Sequence, residues 1–73
     1  MTIEIIKEKT TLEALQKKVG GYIEQLLLDD GRMLVFDEDG QLKGKMINND
    51  ASVMAGTPIA GPAVILEPQA FLD

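Results

Sequence analysis

Apolar residues change their spacing along this chain, and each change marks an element. From Thr2 to Lys7 three Ile alternate in part, with Ile3 and Ile5 on one face and Glu4 and Ile6 on the other. β-Branched residues in that pattern predict a strand. Glu8-Lys9 is a polar connection. Leu12, Leu15 and Val19 then fall at helical spacing. Thr10 followed by Glu13 gives a capping-box start, Lys17 and Lys18 suit the negative end of the dipole, and Gly20 suits the C-terminal cap. The spacing predicts a helix over Thr11 to Val19.

Gly21 to Leu28 returns to a two-residue period, with Tyr22, Glu24, Leu26 and Leu28 on one face and Ile23, Gln25 and Leu27 on the other. Asp29-Asp30-Gly31 is a turn, and Arg32 to Phe36 is the returning strand, so Gly21 to Asp37 reads as a β-hairpin. Asp37-Glu38-Asp39-Gly40 reads as a second turn. Gln41 to Met46 is polar and broken by Gly44, and is expected to be an edge strand guarded by Lys43 and Lys45. Asn48, Asn49 or Asp50 caps a short helix to about Ala55, closed by Gly56. Pro58, Gly61 and Pro62 keep the next segment irregular. Ala63 to Leu66 is a continuous apolar run, read as a buried strand that ends before Pro68.

The expected fold is a small α+β domain, β-α-β-β-(β)-α-β, over residues 1–68. Its sheet is curved and mostly antiparallel, with one or two short helices on one face. Residues 69–73 are expected to form a C-terminal tail packed on a neighbouring subunit, because Phe71 and Leu72 are apolar for a free end. A chain of 73 residues holds one domain and buries only about 60% of its unfolded surface. Without Cys or His it has no disulfide and no Cys/His zinc site, so a homo-oligomer is the expected source of added stability. The N-terminus lacks a signal-peptide pattern and no apolar run approaches the roughly 20 residues of a membrane span. The expected setting is soluble, cytoplasmic and not membrane-bound.

Twelve acids against seven bases give a net charge of −5. Nonspecific nucleic-acid binding needs a basic face and is not expected. The acidic turns do not amount to a calcium loop, since Asp37-x-Asp39-Gly40 lacks the remaining ligands. Ser52 and the Thr residues have no His partner, so no hydrolase triad can be built. No phosphate-binding glycine loop is present. The chain is therefore expected to be non-enzymatic, with no catalytic residue, metal or cofactor.

What remains is a candidate anion site. Lys43 and Lys45 alternate on the expected edge strand and lead into a helix start at Asn48 and Asn49. Tyr22 offers a stacking surface for a base and Glu24 a hydrogen-bond acceptor, a set that suits a nucleotide. Changing Lys43 and Lys45 to Glu is expected to remove binding and leave the fold intact.

Val19-Gly20-Gly21-Tyr22-Ile23-Glu24, Phe36-Asp37-Glu38-Asp39-Gly40 with Leu42 and Gly44, Asn48, Ala51 and Gly61-Pro62-Ala63-Val64-Ile65 carry a resemblance. They resemble a largely uncharacterised family of small proteins from phages, plasmids and bacteria rich in mobile elements. The resemblance covers roughly residues 19 to 66 and implies an α+β fold in a mobile-element setting. By analogy of class and size it implies a counter-defence protein of the sponge type, a homo-oligomer that sequesters a cyclic nucleotide messenger. The alternatives are an acidic inhibitor whose turns occupy a host nucleic-acid-binding site, and a structural or regulatory interaction module.

Overall fold

A computed structural model describes residues 3–72. The predicted strand from Thr2 is found as β1, Ile3–Ile6; Thr2, like Met1 and Asp73, lies outside the described residues. Then follow α1 (Leu12–Val19), β2 (Ile23–Leu27), β3 (Met33–Asp37), α2 (Asn49–Ala55), β4 (Ala63–Leu66) and a turn of 3-10 helix at Pro68–Ala70. This is the α+β order expected, without the bracketed strand.

The sheet order is β1-β4-β3-β2. β1 runs parallel to β4, while β4–β3 and β3–β2 are antiparallel. The β1-α1-β2 connection therefore joins the two outer strands across the whole sheet. The hairpin predicted from Asp29-Asp30-Gly31 is present. Leu28 donates its N–H to the Arg32 carbonyl, and Gly31 takes a φ of 90°, the left-handed residue that ends a three-residue hairpin loop.

Alternation along the strands divides the core in two. Val35, Val64 and Leu66 face α1 and pack with Leu15 and Val19, joined by Ile6, Ile23 and Met33. Leu34, Phe36, Ala63 and Ile65 face the other way and pack with Ala51 of α2 and with Ile59. The helices thus lie on opposite faces of the sheet, not on one. Strands apolar on both sides need cover on both, and the continuous run Ala63–Leu66 is buried at every position.

Two local assignments shift. The α1 cap is Thr11, whose hydroxyl accepts from the Ala14 N–H, and not Thr10. The predicted edge strand over Gln41 to Met46 is absent. Residues 38–44 form successive turns, with the Lys43 N–H on the Asp39 carbonyl and the Lys45 N–H on the Gly40 carbonyl. Gly44 reverses the chain at φ 73°, and Gly40 lies so close to the Ala60 carbonyl that a Cβ would collide with it. At the C-terminus Ala70 is buried, and Phe71 and Leu72 pack against the α1-side core of this same chain. That packing removes the observation that had pointed them toward a neighbouring subunit.

Candidate functional site

β3 begins as an apolar strand and ends on a carboxylate. Asp37 follows Val35 by two residues, so it points to the α1 side, where it is only 3% exposed. A buried carboxylate must be neutralised and hydrogen-bonded. Its Oδ2 accepts from Lys43 Nζ at 2.9 Å and from Lys45 Nζ at 2.7 Å, and its Oδ1 accepts from the Asp39 N–H at 2.9 Å.

The two ammonium groups also reach the end of α1. Lys43 Nζ donates to the Gly20 carbonyl at 3.1 Å, and Lys45 Nζ to the Val19 carbonyl at 2.7 Å. Those carbonyls lie at the C-terminal end of the helix, where cations are favoured by the helix dipole. Gly20 closes the helix in the left-handed conformation, as predicted, and donates its N–H to the Gln16 carbonyl. Gly21 has no room for a side chain: a Cβ there would press on Lys43 Nζ and lie 2.9 Å from both Asp37 oxygens. The cluster thus ties β3, the 38–46 turns and α1 together.

Burial taken alone raises the Asp37 pKa. The hydrogen bonds from Lys43, Lys45 and the Asp39 N–H outweigh it and hold the carboxyl well below its ordinary 3.8. Since the folded value is the lower one, the stability this group contributes is complete above 3.8 and is lost as pH falls toward the folded value.

The anion site expected at Lys43, Lys45, Asn48 and Asn49 is therefore corrected in part. Lys43 and Lys45 do point the same way, but toward Asp37. Asn48 is the cap of α2, as predicted, and is fully buried. Its Oδ1 accepts from the Ala51 N–H at 3.2 Å and its Nδ2 donates to the Gly61 carbonyl at 3.0 Å. Neither polar atom of its side chain is open to a ligand. Asn49 is the exposed first residue of α2. Nor would Lys43→Glu with Lys45→Glu leave the fold intact as expected, because the change sets two more carboxylates on a buried one.

Tyr22 and Glu24 line different surfaces. Tyr22 is 70% exposed and borders a depression of about 320 Å³ with Gln16, Gly21, Asp39 and Lys43. Lys43 is the one residue of the buried cluster's cation pair that reaches this depression. It uses two of its three N–H donors on Asp37 and Gly20. Glu24 lies in a separate groove of about 230 Å³ with Glu38, Gln41, Thr57 and Pro58.

The acidic turns are not one array. Asp29 and Asp30 sit at one end of β3 and Glu38 and Asp39 at the other, roughly 16 Å apart along a five-residue strand. Asp37 itself is buried. Asp30 is held below the ordinary carboxylate value first by the Arg32 N–H, with the Arg32 guanidinium adding to it.

Ser52 is a structural tie, donating to the Asn48 carbonyl at 2.8 Å and accepting from the Ile59 N–H at 2.8 Å. Among the described residues no group of three or more acidic, His or Cys side chains is placed to hold a metal ion. No described helix is long and apolar enough to cross a membrane.

Comparison with curated proteins and with solved structures finds no match. A family model does match, over residues 1–70: "Domain of unknown function (DUF3846)".

Proposed function

The chain belongs to the DUF3846 family, a domain of unknown function, and from that footing we propose that it is a non-catalytic, homo-oligomeric binding protein that takes a nucleotide at Tyr22. One observation carries the reading. An exposed aromatic ring and an ammonium group with an unused donor border the same depression. A base stacked on an aromatic side chain contributes about 1–3 kcal/mol, and Lys43 supplies a hydrogen bond to a phosphate oxygen. Gln16 adds an amide for the base edge.

Charge limits the ligand. Lys43, Lys45 and Asp37 together carry one net positive charge, and Asp39 borders the depression. A ligand with one negative charge per site fits this field better than a polyphosphate. Capture of a cyclic nucleotide messenger, one phosphodiester per subunit, is the form of this function that the mobile-element resemblance favours. Lys45 and Asn48 are not contacts in this reading, and Glu24 is not a base contact.

The test is a thermal-shift and calorimetric screen of nucleoside monophosphates and cyclic nucleotides, on wild type and Tyr22→Ala. Ligand at 100 times Kd adds about 2.7 kcal/mol to stability. A shift in wild type that Tyr22→Ala loses, with its ligand-free melting unchanged, is the expected result. No shift with any nucleotide overturns the reading.

A second reading, a protein-interaction module, draws on a groove of about 540 Å³ between the sheet and α2, bordered by Ile3, Ile5, Val53, Met54 and Ile65. Its exposed apolar side chains suit a protein surface better than a nucleotide.

A further inference from the structure

β2 is an outer strand whose free edge carries neither Lys, Pro nor a bulge, its one charge being Glu24. The hydrogen bonds at the ends of the hairpin show which residues face outward. Leu28 donates to the Arg32 carbonyl, and Glu38 donates to the Tyr22 carbonyl. In an antiparallel pair such bonded positions recur at every second residue. Tyr22, Glu24, Leu26 and Leu28 are therefore bonded to β3, and the N–H and C=O groups of Ile23, Gln25 and Leu27 point away from the sheet.

Natural edges are blunted by Lys, Pro, a bulge or an inward charge. β2 has the sequence Ile-Glu-Gln-Leu-Leu, without Lys, Pro or Gly. Its register with β3 is one-to-one over all five residues, without a bulge. Leu27 is 61% exposed on that strand. The other outer strand, β1, is shorter and carries the Glu4–Lys18 ion pair.

We infer that β2 pairs with β2 of a second copy of this chain, antiparallel, about a two-fold axis at Gln25. This rests on the homo-oligomer reading above and gives it an interface. The edge is most fully self-complementary in that register. Only an axis at Gln25 sets all three outward residues against outward residues: Ile23 against Leu27 of the second copy, and Gln25 against Gln25 of the second copy. About six backbone hydrogen bonds result. The exposed Leu27 covers the partly buried Ile23 of the second copy, and the two Gln25 amides meet across the axis.

Charge agrees with this register. Glu24 stands opposite Leu26 of the second copy, so no like charges face each other directly. An axis at Glu24 would set two carboxylates against each other, which is destabilising. The product is one continuous eight-stranded sheet. For a chain with neither disulfide nor Cys/His metal site, it supplies the added burial that small domains draw on.

Sedimentation equilibrium from micromolar to millimolar concentration tests this on wild type, Gln25→Pro and Gln25→Lys. Pro removes an N–H that β3 does not use, and edge positions tolerate it. Lys keeps the backbone and places like charges across the axis. Wild type should approach twice the 7.9 kDa chain mass, with amide exchange at Ile23, Gln25 and Leu27 slowing as concentration rises. Both variants should be folded, with the dissociation constant raised at least tenfold. Wild type monomeric at every concentration overturns both this interface and the homo-oligomer reading. An oligomer whose mass survives both substitutions, with those three amides in fast exchange, leaves the homo-oligomer standing and overturns this interface. So does protection that appears only with an added extended peptide of another protein.

Discussion

Replacing Lys43 and Lys45 together by Met is expected to destabilise the domain by about 3–5 kcal/mol. The change leaves the Asp37 carboxylate, 3% exposed, with the Asp39 N–H as its one remaining partner among those described. Removing the partners of a buried charge costs far more than exchanging the whole set for apolar groups. The carbonyls of Val19 and Gly20 lose their donors at the same time. A domain of this size has on the order of 4–11 kcal/mol in all, so the double variant should lose from roughly a quarter of that margin to all of it. Adding Asp37→Leu should return part of the loss, because the triple variant no longer buries a lone charge. Urea denaturation of the three proteins measures this. A double variant with an unchanged midpoint would mean that the lysines do not hold the carboxylate.

Asn48→Ala is expected to cost about 2–4 kcal/mol, combining a lost helix cap with a buried carbonyl left without its donor. The side chain is fully enclosed and makes one bond in each direction, to α2 through Ala51 and to the strand approach through Gly61. Asn48→Ser keeps a cap acceptor and loses the Gly61 bond, so it should fall between wild type and Ala. Denaturation midpoints in the order wild type, Ser, Ala check the assignment. A neutral Asn48→Ala would place that side chain in solvent.

Most of the fold is legible in the chain. The two-residue period of the hairpin, the Asp-Asp-Gly turn, Gly20 and Gly56 as helix ends, and the apolar run at Ala63 each act locally. Local signals survive whatever the tertiary structure does with them. Residues 41–46 misled because alternating Lys around a Gly is also what an edge strand looks like. Their true conformation depends on Gly40 fitting under the Ala60 carbonyl and on both lysines reaching back to Asp37, contacts between segments far apart along the chain or set by burial.

The helices lie on opposite faces, against the expectation of one, for a related reason. Residues 33–37 are buried almost throughout, so β3 needs cover on both sides. A strand reading that assigns it one core face misses this. The signal for the Asp37 cluster was nonetheless present. An acid that continues an apolar strand in phase with Val35 must face a core, and an acid facing a core needs bases. Lys43 and Lys45 are the first bases that follow it. The residues expected to offer an anion site are thereby largely occupied in holding the fold, which moves the candidate ligand surface to Tyr22 and the third donor of Lys43, which has no partner among the described residues.

The paired, buried state of the Asp37 carboxylate can be read by following its side-chain carboxyl carbon by NMR through an acid titration. Asp37 should stay ionised well below the ordinary 3.8 and protonate only as the fold is lost. An Asp37 carboxyl that titrates near 3.8 in a protein still folded would overturn that pairing.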